Sequence, residues 1–263
     1  MKLGSRRRAR AIPTAMILAV LTTTGASAEG GFSTTPFRGG EVLRYGVRYG
    51  PIRLGTLVVT QEEVKGAGGG EKIVVRMCAE SAPGLPFLKT KWANRSLLVP
   101  SFPSLRDFEY ASGEDDATRL HYLYDAARGM VEIERECATG PRTVCRLRHD
   151  GPVYDAGGMF MMIRCMSGSG RRTSLPAIVD QEIRPTRFDF TDAVEDVEVP
   201  AFATPVKAHR FDAVAEWVLP TACGMSGEFH GWLTADGAAI PLKGTVHIFL
   251  GAVTIELESF ERP

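Results

Sequence analysis

Sulfur and histidine side chains are the residues of this 263-residue chain best suited to chemistry, and their spacing limits what they can do. Met159, Met162 and Met166 recur at i, i+3 and i+7, which on a helix places three thioethers on one face with Cys165 nearby. Soft sulfur ligands of that kind select Cu(I). No histidine lies close by in sequence, so the reading adopted is a short helix plugging a sheet, with methionine filling irregular gaps. The histidines His121, His149, His209, His230 and His247 are scattered, and the H-E-x-x-H signature of zinc hydrolases is absent. His230 and His247 flank the last hairpins and would face each other across a turn centred on Ala238–Ala239, whereas an Asp236-Gly237 turn would set Lys243 opposite His230. Gly224-Met225-Ser226-Gly227 and Gly168-Ser169-Gly170 are turns rather than a G-x-S-x-G nucleophile elbow. The acidic run Glu114-Asp115-Asp116 lacks the spacing of a calcium loop, and the Gly66 to Gly70 run lacks the lysine and helix of a phosphate loop. No catalytic constellation, metal or cofactor is therefore assigned.

Five cysteines, Cys78, Cys137, Cys145, Cys165 and Cys223, occur without a CxxC pair, which excludes a thioredoxin-like couple and a zinc knuckle. Val131 to Cys137 alternates apolar and acidic residues as a half-buried strand, and Thr143 to Arg148 can return beside it after a Gly-Pro step. Cys137 and Cys145 are equidistant from Pro141, so a cross-strand disulfide is expected, with two buried thiols as the alternative.

The elements that would position these side chains read as strand after strand. Leu43, Tyr45, Val47 and Tyr49 alternate with Val42, Arg44, Gly46 and Arg48. Ile52 to Thr60, Lys72 to Cys78, Leu120 to Tyr124 and Val253 to Glu258 extend the pattern. Only Asp155 to Met166 departs from it, with Asp155 a suitable N-cap and Arg164 placed to dock the helix on the sheet through an ion pair or capping contacts. The expected fold is all-β: a strongly curved antiparallel sheet, open or partly closed as a barrel or spiral, with one short helix near residues 155–166.

The first 28 residues differ from the rest. Lys2, Arg6, Arg7, Arg8 and Arg10 precede an apolar stretch from Ala11 to Leu21 and the small-residue run Gly25-Ala26-Ser27-Ala28. About eleven apolar residues are too few to cross some 30 Å of hydrocarbon at 1.5 Å each. The segment is expected to be a signal peptide cleaved after Ala28, leaving 29–263 as a single β-rich periplasmic domain with no transmembrane segment. The apolar pair expected after twin arginines is missing, which favours general secretion, and no cysteine sits at the cleavage site to carry a lipid. With the leader gone, 26 basic residues face 31 acidic ones, a net charge of −5 that argues against a nucleic-acid partner.

Glu41 to Leu57 (EVLRYGVRYGPIRLGTL), the pair Asp155 and Arg164, and the closing segments Trp232 to Asp236, Ile240-Pro241 and Gly251-Ala252-Val253 carry a resemblance. Over residues 38–260 the chain resembles the bacterial domain-of-unknown-function family 3108. It departs from that pattern at Gly158, where serine is expected, and at Ala238-Ala239, where basic residues are common. The resemblance implies an exported Gram-negative envelope protein with a curved β fold and no assigned reaction. Two functions fit. One is non-catalytic binding of an apolar or amphipathic ligand such as a lipid, or of an envelope-protein partner. Tyr45, Tyr49, Tyr122, Tyr124, Phe160 and Trp232 are the candidate lining, because aromatics offer apolar faces with polar edges. The other is hydrolysis of an envelope polymer, using the Asp155 and Arg164 region or paired carboxylates.

Overall fold

A computed structural model describes residues 36–65, 71–85, 91–99, 103–112, 117–218, 226–248 and 251–263. The leader, Glu114 to Asp116, the glycine run 66–70 and Cys223 lie outside the described residues. Eight strands come first: β1 (Val42–Tyr49), β2 (Ile52–Lys65), β3 (Glu71–Ser81), β4 (Lys91–Leu98), β5 (Ser104–Ser112), β6 (Ala117–Asp125), β7 (Met130–Cys137) and β8 (Thr143–Arg148). The helix α1 (Ala156–Met166) follows. Then come β9 (Arg172–Val179), β10 (Glu182–Val197), β11 (Val206–Val218), β12 (Ser226–Thr234), β13 (Pro241–Ile248) and β14 (Gly251–Glu261). All strands belong to one antiparallel sheet ordered β8-β7-β6-β5-β4-β3-β2-β1-β14-β13-β12-β11-β10-β9. Every strand pairs with its sequence neighbour, and β1 pairs with β14, so the ladder breaks only where the chain leaves it to form α1. The sheet is curved and not closed.

Period-two patterning produces the strands. Thr186, Phe188 and Phe190 are buried on β10 while Arg187 and Asp189 are exposed, and Leu43 and Tyr45 are buried on β1 beside exposed Arg44. In α1 the N-cap Asp155 accepts a 2.8 Å bond from the Gly158 amide, satisfying a donor the helix leaves unpaired. A Cβ at Gly157 would stand 2.3 Å from Ser96 Oγ and 3.1 Å from Val75 Cβ, so this glycine lets the first helical turn lie directly on β3 and β4. Met161, Met162 and Met166 are buried in the main core with Leu43, Val59, Val75 and Leu257, and Met159 packs against it. A second, smaller core joins Leu120, Tyr122, Val131 and Ile133 to Val153 and Ile178.

Arg164 is the largest fully buried side chain. Its Nη1 donates to Glu41 Oε1 at 2.6 Å and its Nη2 to Glu41 Oε2 at 3.2 Å, and both side chains are 0% exposed. Nε and Nη2 also donate to the carbonyls of Ala239 and Ala238 at 3.1 and 3.0 Å. Glu41 accepts further bonds from Gln61 and, at 2.6 Å, from Arg262. The guanidinium thus meets Glu41 rather than Asp155, its companion in the sequence reading.

Two sequence expectations are corrected by register. Cys145 stands opposite Ile133, and Cys137 opposite Thr118 on β6, so Cys137 lies four residues along the ladder from the position facing Cys145. That offset is roughly 13 Å, beyond the reach of a disulfide, and both thiols are free. His230 pairs with Thr245, Lys243 with Trp232, and His247 with Ala252, so neither proposed partner faces His230. The bulge between Trp232 and Leu233 shifts the register that a symmetric turn would have set.

Peptide mapping of the native oxidised protein should recover Cys137 and Cys145 separately alkylated; a joined peptide would refute this register. Arg164→Ala should cost about 3–5 kcal/mol in denaturant unfolding because it strands Glu41 without its buried partner. Arg184→Ala, whose exposed pair with Glu182 is a control, should cost under about 1 kcal/mol.

Candidate functional site

A groove of about 740 Å³ crosses β9 to β12. Arg172, Arg187, Arg210 and His230 bring donors to it, and Asp189, Asp212 and Glu228 bring carboxylates. Val214 supplies an apolar side chain on the face of the charged residues, while Phe188, Ala213 and Phe229, which stand opposite one another in the ladder, alternate to the core side. Phe188 is fixed by aromatic neighbours, with ring centroids 5.5 Å from Phe190 and 6.0 Å from Phe211 and Phe229. The arginines are held by exposed ion pairs: Arg172 with Asp189 at 2.7 Å, Arg187 with Glu216 at 2.8 Å and Arg210 with Asp212 at 2.6 Å. Exposed pairs contribute about 0–1 kcal/mol each, so an incoming anion can exchange with them.

Trp232 flanks the groove. The Arg210 guanidinium lies 5.5 Å over its ring, His230 meets it edge-on at 5.1 Å, and its indole N–H donates to Glu195. The other aromatic candidates are spread through the molecule. Tyr45 is buried in the main core and donates to the Pro241 carbonyl at 3.1 Å, and burial raises its hydroxyl pKa. Tyr122 belongs to the second core and donates to the Asp180 carbonyl at 3.0 Å, while Tyr124 stacks on it at 6.4 Å. Phe160 lies on α1 under the Arg164 guanidinium at 5.5 Å. Tyr49, 40% exposed, stands at the end of β1 with its ring beside Gly251. These six side chains do not line one cavity.

Between the two cores runs a band of buried polar side chains on β4, β5 and the start of α1. Asn94 Nδ2 donates to Asp107 Oδ1 at 2.7 Å, and Ser96 Oγ donates to Asn94 Oδ1 at 2.9 Å. The amides of Asp155 and Gly157 donate to Ser104 Oγ and Ser96 Oγ at 3.1 and 3.2 Å. Asp155 is 2% exposed and Asp107 6%. Burial pushes the Asp155 carboxyl up to about 6. Burial, then the neighbouring Asp155 and Glu109, raise that of Asp107 well above the usual carboxylate range. Asp155 Oδ2 and the Tyr124 hydroxyl are buried without a hydrogen-bond partner. Sequence reading missed Asp107, Asn94 and Ser96. Their signal was present, because Asn94 and Ser96 occupy the same face of β4 as buried Leu98. Apart from His230, the charged residues of the groove were missed for another reason: they are ordinary exposed charges that only the strand register brings together.

The fold and this surface define an open, β-barrel-like protein whose interior is filled by a helix. The chain is similar to a β-barrel-like protein of domain of unknown function 1849 from Brucella abortus. The two share a TM-score of 0.55 and 10% identity, over 86% of this chain and 99% of the other. A protein from Bacteroides fragilis, named as exported and with a YmcC-like fold, shares 11% identity over 86% and 98% of the two chains, at a TM-score of 0.38. No family model and no curated protein matches the chain, so the likeness to family 3108 finds no support beyond an uncharacterised β-rich bacterial fold.

Because Asp155 and Asp107 hold protons more tightly folded than unfolded, they stabilise the fold fully below about pH 4. That contribution is lost as pH rises through about 6 for Asp155 and higher for Asp107. Asp107→Asn should flatten the fall in melting temperature between pH 4 and 8 relative to the unmodified protein. Superimposable profiles would contradict the shared burial of the two acids.

Proposed function

We propose that the chain is an exported, non-catalytic envelope protein of the periplasm, with residues 1–28 as its signal peptide and 29–263 as its mature domain. Its ligand is amphipathic and carries an acidic headgroup. The observation that supports this most is the groove across β9 to β12, where three arginines and His230 stand among Asp189, Asp212 and Glu228 around Val214 on the exposed face of the sheet. A volume of this size suits a small ligand or one end of a lipid. An anionic headgroup exchanges into arginine pairs already at the surface, and the apolar chain lies along Val214 and the ring of Trp232, which stands opposite Arg210 on that face. Among the described residues no helix is long and apolar enough to cross a membrane.

Hydrolysis of an envelope polymer is the weaker reading. Of the acids whose pKa burial raises, Asp107 and Asp155 are covered by α1 and the polar band, and Glu109 is engaged by the Trp92 indole at 2.8 Å, whereas a general acid must come within hydrogen-bond reach of its substrate.

Titration of the purified mature protein with oleate or lysophosphatidylglycerol should give saturable quenching of tryptophan fluorescence, with lysophosphatidylcholine much weaker. Arg210→Ala and Arg187→Ala should each weaken anion binding by roughly tenfold or more, the worth of a charged hydrogen bond. Turnover of an envelope polymer that a single carboxylate substitution abolishes would replace this reading with the enzymatic one. The periplasmic protein should begin at Glu29.

A further inference from the structure

The two ends of the sheet are treated differently. At the β9 end, Tyr154 lies alongside the strand in a parallel bridge to Ala177. Its amide donates to the Pro176 carbonyl, and its carbonyl accepts from the Ile178 amide, each at 3.0 Å. At the other end β8 pairs with β7 alone, and among the described residues no strand follows it. β8 is exposed at Thr143, Val144, Arg146 and Arg148, with Val144 54% exposed, while Cys145 and Leu147 turn toward the second core. An uncovered strand edge offers a row of amides and carbonyls to another extended chain.

Charge decides which chain fits. The cross-strand register places Arg119 and His121 of β6 opposite Glu136 and Glu134 of β7 on one face of the sheet. On that same face Glu132 pairs with Arg146 at 2.7 Å, and Arg142 reaches Glu134 and, at 3.8 Å, Glu136. Sign therefore alternates from strand to strand: basic, acidic, basic. Arg148 extends the basic row and stands across from uncharged Met130. We propose that β8 is a docking edge for an extended acidic segment of a partner protein, which adds as a fifteenth strand. Its carboxylates lie beside Arg146 and Arg148, and its alternate apolar residues continue the second core past Cys145 and Leu147.

A second copy of this chain does not fit, because β8 against β8 sets one arginine row against another. Edge charges ordinarily guard against pairing. A guard of one sign repels like edges and selects an opposite one. This surface is separate from the groove on β9 to β12, so its test and the lipid test fail independently.

A fluorescein-labelled peptide of alternating glutamate and valine, about nine residues long to cover the six of β8, is the probe. Anisotropy should show saturable binding that weakens as salt rises, with the lysine–valine counterpart at least tenfold weaker. Arg148→Glu should narrow or invert that preference without unfolding the protein, since Arg148 faces no acid across the ladder. Methylating one of the two alternate sets of peptide amides should abolish binding, because only one set faces β8. Equal binding of both charge types, no binding of either, binding that survives both methylations, or an Arg148→Glu preference unchanged from the parent would each overturn the proposal.

Discussion

The buried meeting of Arg164 with Glu41 is the contact on which the rest of the arrangement depends. It joins parts of the chain that are far apart: the residue before β1, the helix, the β12–β13 turn through the Ala238 and Ala239 carbonyls, and the end of β14 through Arg262. Removing two charges from water costs several kcal/mol per ion, which good geometry and further hydrogen bonds must offset. Here the guanidinium donates to four acceptor positions, and the carboxylate accepts from two arginines and Gln61. The turn is shaped to that end. Asp236 Oδ1 accepts from the Ala238 and Ala239 amides, and Thr234 Oγ1 accepts from the Ile240 amide, while Ala239 takes a positive φ of 43°.

Placing α1 in this way has consequences for the whole sheet. Closing the ladder would require β8 to pair with β9, but the chain between them is spent on the helix and on the Val153–Asp155 segment. Val153 accepts a bond from the Ser104 amide on β5, and Tyr154 bridges to β9. The interior that a wider barrel would leave hollow is occupied by methionine side chains and the Arg164 pair. The proposed binding therefore falls on the surface of the sheet and on its edge, where exposed charges are cheap to rearrange.

The polar band on β4 and β5 separates the two apolar cores and caps the helix. Asp155 serves the first turn of α1 and shares its buried surroundings with Asp107, so one carboxyl is at once a structural cap and a proton-binding group.

The sequence alone determined the all-β class and the single helix, because side-chain alternation along strands and its interruption at Asp155 to Met166 are local properties of neighbouring residues. It also carried the N-cap, since capping needs only Asp155 and the amides that follow it. Register decided the rest. Where Cys145 lands on β7, which residue faces His230, and which arginines gather around Val214 depend on bulges and on the pairing of strands remote in sequence. The partner of Arg164 lies 123 residues away. Such a contact exists only once β1, α1 and the β12–β13 turn have been brought together, and no spacing in the chain encodes it.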